Sequence, residues 1–273
     1  MNNFITGCIV LYQNENEQLE KLLHSFYNSD PIVHIFLIDN SPTDKLKIFA
    51  NYPNITYIHN SVNVGFGTAH NIAINMAIKE GSIFHFIINP DIFFNDEVIM
   101  PMVNYMTNDD NIGMMMPQIL NLDGSVQHLP KLLPSPIGIL WRKIKWPATL
   151  YANFISKYEF RFVASDIIYN APVLSGCFTL LNLKAIQDVG FYDDKFFMYF
   201  EDWDLSRRMH TKYKTIYFPK VSVYHGYESG ANKSGRLFKI FIKSAITYFN
   251  KWGWFFDKSR CRVNKSALAQ FNT

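Results

Sequence analysis

Two groups of acidic residues are spaced and placed to do chemistry. Asp91, in Asn89-Pro90-Asp91, directly follows the apolar run Ile83-Phe84-His85-Phe86-Ile87-Ile88. Further along, Phe200-Glu201-Asp202-Trp203-Asp204 follows a glycine-bearing apolar stretch. A carboxylate just beyond the carboxyl end of a buried strand lies where open α/β sheets bind their ligands. It can hold a hard cation or accept from a hydroxyl. Crowded acids raise one another's proton affinity, while the N-terminus of a helix favours the ionised form. The sequence leaves the balance between these effects open, but either way the cluster can supply acid/base chemistry.

Such groups meet only if strands and helices alternate. The spacing predicts strands over 4–12, 32–38, 55–58 and 83–88, with helices over 17–27 and 68–79 between them. In the first helix Leu19, Leu22, Leu23 and Phe26 share a face. This alternation implies βαβ units and a mostly parallel sheet. Polar residues collect just past the strand ends (Gln13, Asp39-Asn40, 60–63, Asn89 and Asp91), which marks the expected ligand edge. Beyond it, helices are expected over 97–106, from Asn182 to a Gly190 cap, over 202–212 and over 235–252, and strands over 112–120, 173–181 and 215–224, with an Asp-Gly turn at 122–125. The stretch 127–166 has no steady periodicity and reads as an excursion near the site.

Composition bounds the rest. With 273 residues and 48% apolar content, the chain can bury one large core, or one core plus a C-terminal appendage. A net charge of +3 is too mild to argue for nucleic acid. Three widely spaced cysteines in no metal-like pattern read as thiols and not as disulfides. The N-terminal residues lack a basic n-region, and the best apolar candidate for a membrane span, 132–160, is broken by prolines and cations. A cytoplasmic location is therefore expected.

Taken in order, Val10-Leu11-Tyr12-Gln13, Leu37-Ile38-Asp39-Asn40-Ser41, Asn63-Val64-Gly65-Phe66-Gly67 with Asn71, Asn89-Pro90-Asp91, Ser175-Gly176-Cys177-Phe178, Gly190-Phe191-Tyr192-Asp193, the segment 196–204 and His225 resemble the inverting glycosyltransferases of family 2, in particular the bacterial rhamnosyltransferase-like branch. The resemblance implies a GT-A fold: an α/β domain with a single Rossmann-like, mixed, mostly parallel sheet flanked by helices. A catalytic domain over 1–232 would divide into a nucleotide-sugar half (1–121) and an acceptor half (122–232), followed by an amphipathic helical extension over 233–273. It also implies transfer of a sugar, L-rhamnose from dTDP-L-rhamnose foremost, onto a lipid-linked polysaccharide acceptor such as an O-antigen, capsule or cell-wall chain. UDP- or GDP-hexose donors stay open. A sugar-nucleotide pyrophosphorylase should carry a glycine-rich basic loop where this chain has Tyr12-Gln13-Asn14-Glu15, and a non-catalytic nucleotide-binding protein is the third alternative.

The same resemblance assigns the site. Asp202 is the catalytic base. Leu11, Tyr12, Asp39, Asn40, Asn63, Gly65, Asn89, Asp91 and Lys233 border the donor, Asp39 and Asn40 at its base and ribose. Trp203 and Asp204 serve the acceptor. Asp91 and His225 are the metal candidates for Mg2+ or Mn2+, although Asn89 replaces the first carboxylate of the family's Asp-x-Asp signature and puts metal dependence in doubt. Each has a plainer reading: Asp39 and Asp91 as turn or cap residues, Asp202 as a helix-start acid, His225 as a hydrogen-bonded strand end, and Gly65-Phe66-Gly67 as a connection that lacks the third glycine of a dinucleotide fingerprint, His70 standing there. The helix over 235–252 sets Arg236, Lys239 and Lys243 on one side and Leu237, Ile240, Phe241, Ala245, Ile246 and Phe249 on the other. It reads as an interfacial segment on anionic lipid, or as a face packed on the domain or on a second subunit of a homodimer.

Overall fold

The computed structural model describes residues 5–27, 33–226 and 235–271. Nine strands form one sheet in the order β3-β2-β1-β4-β8-β6-β9-β5, with β7 also paired to β9. In chain order they are β1 (Ile5–Leu11), β2 (His34–Asp39), β3 (Ile55–His59), β4 (Phe84–Ile88), β5 (Ile92–Phe93), β6 (Ile112–Leu120), β7 (Tyr169–Asn170), β8 (Phe178–Asn182) and β9 (Lys214–His225). Strands β3, β2, β1 and β4 are mutually parallel, so their carboxyl ends share one edge. β8 runs antiparallel between β4 and β6, whereas β6 and β9 are parallel. β1, β2 and β4 are near-continuous apolar runs because helices cover both faces, the pattern expected of buried parallel strands.

Among the covering helices, α1 (Asn16–Tyr27) buries the face read from its periodicity: Leu19, Leu22, Leu23 and Phe26. α2 (Phe66–Lys79) lays Gly67, Ala69, Ala73 and Ala77 inward, and these small residues bring its axis close to the sheet. Gly65, just before it, has φ +89°, and a Cβ there would run into the Phe197 carbonyl. That close approach matters, because the Phe66 N–H donates to the same carbonyl at 2.9 Å and ties the start of α2 to the segment preceding Asp202.

The secondary structure departs from expectation in three places. The stretch 127–166 holds α4 (Pro136–Ile144) and α5 (Ala148–Tyr158), after α3 (Ile99–Thr107). α4 begins on a Ser135 cap that accepts from the Gly138 N–H at 3.0 Å, with proline in the first turn. The strand expected from Val173 starts only at Phe178. Val173 makes an isolated bridge to Lys131, and residues 175–177 turn out of the ladder, where the Ser175 carbonyl accepts from Thr179 Oγ1 at 2.6 Å. After α6 (Leu183–Val189), α7 (Glu201–His210) and α8 (Gly235–Trp252), a further helix, α9 (Lys258–Ala269), closes the described chain on an Asp257 cap.

The boundary expected at 232/233 falls within 227–234, outside the described residues. The helices beyond it are stitched back onto the rest. Asn264 bonds the Leu133 N–H and C=O at 2.8 and 3.0 Å, and Gln270 bonds the Asn170 N–H and C=O, each at 3.0 Å. The Arg207 guanidinium lies 2.8–2.9 Å from the Asp257 carboxylate with both residues buried, and it stacks 4.2 Å from the Trp252 ring. Breaking a buried ion pair strands the surviving charge, which typically costs about 3–5 kcal/mol. Asp257→Ala should therefore lower the urea midpoint by that equivalent with an unchanged m-value, and a loss below about 1 kcal/mol would show that the pair contributes little.

Candidate functional site

The parallel strand tips are laced together by polar bonds. The Asn40 N–H donates to the Leu11 carbonyl (2.9 Å), and Asn60 N–H to the Asp39 carbonyl (2.8 Å). The Gln13 N–H donates to Ser41 Oγ at 2.7 Å, and the Gly65 N–H to Asn63 Oδ1 at 2.9 Å. Asn40 spans the gap to α2, donating to the Gly65 carbonyl (3.3 Å) while accepting from Asn60 (2.7 Å). Two expected donor contacts sit differently from their sequence reading. Asp39 is buried; one oxygen accepts from the Ser41 N–H at 2.8 Å, the other from the Tyr57 hydroxyl at 2.6 Å, so the carboxylate braces its own turn. Leu11 is also fully buried, leaving Tyr12 and Asn63 as the exposed members of this group. Lys233 lies outside the described residues.

At the tip of β4 the structure gathers Asn89, Asp91 and His225. β5 pairs antiparallel with the end of β9, matching Ile92 to His225, and the Gly226 N–H donates to the Asp91 carbonyl at 2.9 Å. His225 Nε2 then lies 3.3 Å from Asp91 Oδ1 and 3.4 Å from Asn89 Nδ2. Gln127 sets the imidazole. Its amide nitrogen donates to the His225 carbonyl at 3.1 Å, so its oxygen faces Nδ1, also at 3.1 Å. Nδ1 can donate to that oxygen, which leaves Nε2 as the ring nitrogen that faces Asp91 and Asn89. Two donors 3.3 Å apart suit one ion with bonds of about 2.0–2.2 Å, and Mg2+ or Mn2+ is commonly held by one or two side chains plus substrate phosphates. The residues therefore fit a divalent cation shared with a diphosphate, although the described residues hold no cluster of three acidic, histidine or cysteine ligands.

Asp202 sits at the start of α7. Its carboxylate accepts from the Gly176 N–H (3.2 Å) and the Trp203 N–H (2.9 Å). Burial pushes Asp202 up to about 6, and those two N–H groups pull it back toward ionisation. Glu201 beside it is raised well above the ordinary carboxylate range by burial and then by the Asp202 charge, and its Oε2 finds no hydrogen-bond partner. Asp202 draws on the Gly176 and Trp203 N–H groups, whereas Glu201 has only its own backbone N–H to offset its burial, so of the two Asp202 ionises first. Lys131, which the sequence did not single out, is a buried cation nearby. It donates to the His128 and Leu129 carbonyls (3.3 and 2.9 Å); burial lowers it to about 8, against the opposing attraction of Glu159 and Asp202.

The two centres adjoin. Gly176 holds Asp202, and the next residue, Cys177, accepts the Asn89 N–H at 2.7 Å through its carbonyl. The buried Cys177 thiol is raised to about 12 chiefly by desolvation, with Asp91 and Asp202 both adding to the rise. Asp204 does not join them. Fully buried, it bonds Arg208 Nε (2.9 Å), Trp252 Nε1 (2.8 Å) and Lys251 Nζ (2.8 Å), so instead of facing an acceptor it bolts α7 to α8. Trp203 is half-buried, with its ring 4.6 Å from Phe200. Concavities of about 580 Å³, beside Lys21 and Phe93, and about 440 Å³, on α8, lie elsewhere, and neither is lined by Asp91 or Asp202. The candidate residues lie instead at the edge formed by the strand tips and at the adjoining start of α7.

A family model described as glycosyl transferase family 2 matches residues 8–190. Over 243 residues the chain is 28% identical to the N-acetylglucosaminyl-diphospho-decaprenol L-rhamnosyltransferase of Mycobacterium tuberculosis (strain CDC 1551 / Oshkosh), covering 81% of this chain and 76% of that protein. Rhamnosyltransferase WbbL of Escherichia coli (strain K12) is 24% identical over 257 residues, covering 88% and 90%. In fold the chain is similar to GalNAc-T7 solved with UDP, GalNAc and Mn2+ (TM-score 0.62, 15% identity), spanning 89% of this chain and 47% of that one. S. aureus TarS gives a TM-score of 0.59 at 14% identity, with 98% and 42% covered. The mixed sheet and its flanking helices are the GT-A arrangement of these neighbours.

If Gln127 fixes the ligating nitrogen of His225, Gln127→Leu should weaken Mn2+ binding about 10–100-fold, the usual effect of losing such a support. Electron paramagnetic resonance titration of free Mn2+ in the presence of saturating dTDP reads this directly, and an unchanged affinity would separate His225 from the ion.

Proposed function

Because the chain belongs to glycosyl transferase family 2, we propose that it transfers L-rhamnose from dTDP-L-rhamnose onto a lipid-linked saccharide, with inversion at the anomeric carbon. Family membership makes it a glycosyltransferase and excludes the pyrophosphorylase and non-catalytic readings. The choice of sugar is supported by two rhamnosyltransferases that it resembles over most of their length, and the choice of acceptor by the diphospho-decaprenol in the name of one of them. The observation that carries the reading is the adjacency of two unlike centres: the Asp91–His225 pair at 3.3 Å and Asp202, joined through Gly176 and Cys177.

Each centre has one task. Asp202 takes the proton of the acceptor hydroxyl as that oxygen bonds to the anomeric carbon. On the opposite face the bond from that carbon to the diphosphate oxygen breaks, and the nucleoside diphosphate departs with the electron pair. A divalent cation held by Asp91 and His225 would offset the charge that builds on this leaving group. Asn89 and the Tyr12 and Asn63 tips border the donor, and half-buried Trp203 offers a ring beside Asp202 for the acceptor sugar. A base with a pKa near 6 is ionised at neutral pH yet basic enough to accept the proton in the transition state.

Release of nucleoside diphosphate from a panel of dTDP-, UDP- and GDP-sugars, with a polyprenyl-diphosphate N-acetylglucosamine acceptor, tests the donor. Release of dTDP from dTDP-L-rhamnose in excess over every other donor is the expected result. A preference for a UDP- or GDP-hexose would replace the sugar while keeping the mechanism. Because a base must be ionised to act, kcat/KM should climb as pH rises through about 6 and level off above it. Asp202→Asn should lose at least about 10²-fold in kcat while calorimetric donor affinity is kept; loss of donor affinity instead would move Asp202 to the donor site.

A further inference from the structure

Two stretches far apart in sequence share an unusual composition. Residues 131–158 and 235–256 contain no aspartate or glutamate, yet they carry Lys131, Arg142, Lys143, Lys145 and Lys157 in the first and Arg236, Lys239, Lys243 and Lys251 in the second. Both leave apolar stripes in water. On α4 the stripe is Ile137, Leu140 and Ile144, at helical spacing, followed by Trp146 at 71% exposure. On α8 it is Phe238, Ile242 and Ile246, so Ile246 belongs to the outward face and not to the inward one expected from sequence. The inward face is Ser244, Tyr248 and Phe249, with Phe241 and Ala245 packed beside them.

The fold brings the stripes side by side. Ile139 of α4 packs into the cluster that α8 forms with Phe196 and Phe200. The Lys143 ammonium lies 5.6 Å from the Phe238 ring and 5.7 Å from the Phe241 ring. A shallow groove of about 440 Å³ runs along α8 between Phe238 and Thr247, flanked by Lys239 and Lys243. Apolar side chains ringed by lysines, with tryptophan at the margin, are what an anionic lipid interface selects. Arg142 and Lys251 are paired with Glu159, Asp193 and Asp204, but Lys143, Lys145, Lys239 and Lys243 are exposed, and a two-fold contact would set these cations against their own copies, which makes a second copy of the chain a poor occupant. No described helix is long and apolar enough to cross a membrane, so contact would be from the surface.

We infer that α4, the Trp146 turn and α8 form one docking face that seats the enzyme on an anionic bilayer. The face is coupled to the chemistry. Ser244 Oγ of α8 donates to the Met198 carbonyl at 2.8 Å, and Trp252 Nε1 to Asp204 Oδ1 at 2.8 Å, bonding the helix to both sides of Asp202. An enzyme so seated meets a lipid-carried acceptor at the bilayer surface. The lipid acceptor rests on the function proposed above; the docking face stands without it.

Flotation of the full chain with phosphatidylcholine vesicles containing about one-third phosphatidylglycerol tests the inference, with pure phosphatidylcholine as the neutral arm. The expected result is partition onto the anionic vesicles, falling steeply between about 0.1 and 1 M salt as the screening length shrinks from about 10 to 3 Å. Lys239→Glu/Lys243→Glu should reduce partition at least tenfold, roughly the effect of removing two surface cations. Leu140→Asp/Ile144→Asp, on the other stretch, should do the same. Both variants should hydrolyse or transfer a water-soluble donor and acceptor pair at the parental rate, so a catalytically dead parent that still floats would fault the proposed function and not the face. Equal partition onto neutral vesicles, partition unaffected by either variant, or a dimer in sedimentation velocity that both variants dissolve would each overturn the inference.

Discussion

Two backbone groups on adjacent residues tie the two candidate centres together: the Gly176 N–H donates to Asp202, and the Cys177 carbonyl accepts from the Asn89 N–H. They stand there because β8 runs antiparallel to β4, with Phe178 opposite Ile88. A parallel strand in that place would bring its carboxyl end to the ligand edge. The reversed strand brings its beginning, and the residues before that beginning are still free of the ladder. Their N–H and C=O groups are therefore available to bind side chains from two other segments. One reversed strand in an otherwise largely parallel sheet thus brings Asp202 to the edge where the parallel strand tips already gather Asn89 and Asp91.

Asp202 is held by strain as well as by bonds. Tyr199 and Phe200 both adopt left-handed backbone, with φ of 69° and 67°, although neither is glycine. Each such residue costs about 1–3 kcal/mol and persists only where its surroundings over-determine it. Phe200 is buried among Trp203, Phe241, Tyr248 and Phe249, with ring centroids 4.6–6.5 Å apart. Burial of one phenylalanine contributes about 1.5–3 kcal/mol, and paired rings add more, so the cluster is of the right size to offset the turn. Asp204 serves the same end, since its three bonds keep the first turn of α7 against α8. Strain at the N-terminus of α7 and the rigidity of α8 are two sides of one arrangement.

The nucleotide-side half of the fold was legible because its signals are local. Period-two and period-3.6 apolar patterns over 5–88 mark strands and helices, and polar residues after each strand mark the shared edge. Asp91 and Asp202 could be picked out by position, and their adjacency followed from the family's motif order. What the sequence withheld depends on distant partners. Asp39 and Asp204 look as available as Asp91 and Asp202, and only Tyr57, Ser41, Arg208, Trp252 and Lys251 reveal that both are fully engaged. Gln127 is an ordinary glutamine until β9 sets His225 beside it. Lys131 reads as a surface cation although it is buried. α4 did carry a start signal, Ser135-Pro136, but its lack of acids and its outward apolar stripe erase the usual contrast between a wet and a dry face. The same surface that hid the helix from periodicity is the one that fits a bilayer.

Asn89 shows how the two centres are balanced. A carboxylate in its place would stand close to Asp91, and two adjacent anions would oppose a donor diphosphate unless a cation arrived first. An amide removes one of those charges. It can donate to His225 Nε2, 3.4 Å away, without demanding an ion, while Asp91 and His225 still offer two donors to one. A cation held by Asp91 and His225 would then serve the phosphates more than the protein's own carboxylates. In that arrangement metal and donor are coupled ligands: each creates most of the other's binding site, and affinity for either one alone is expected to be weak.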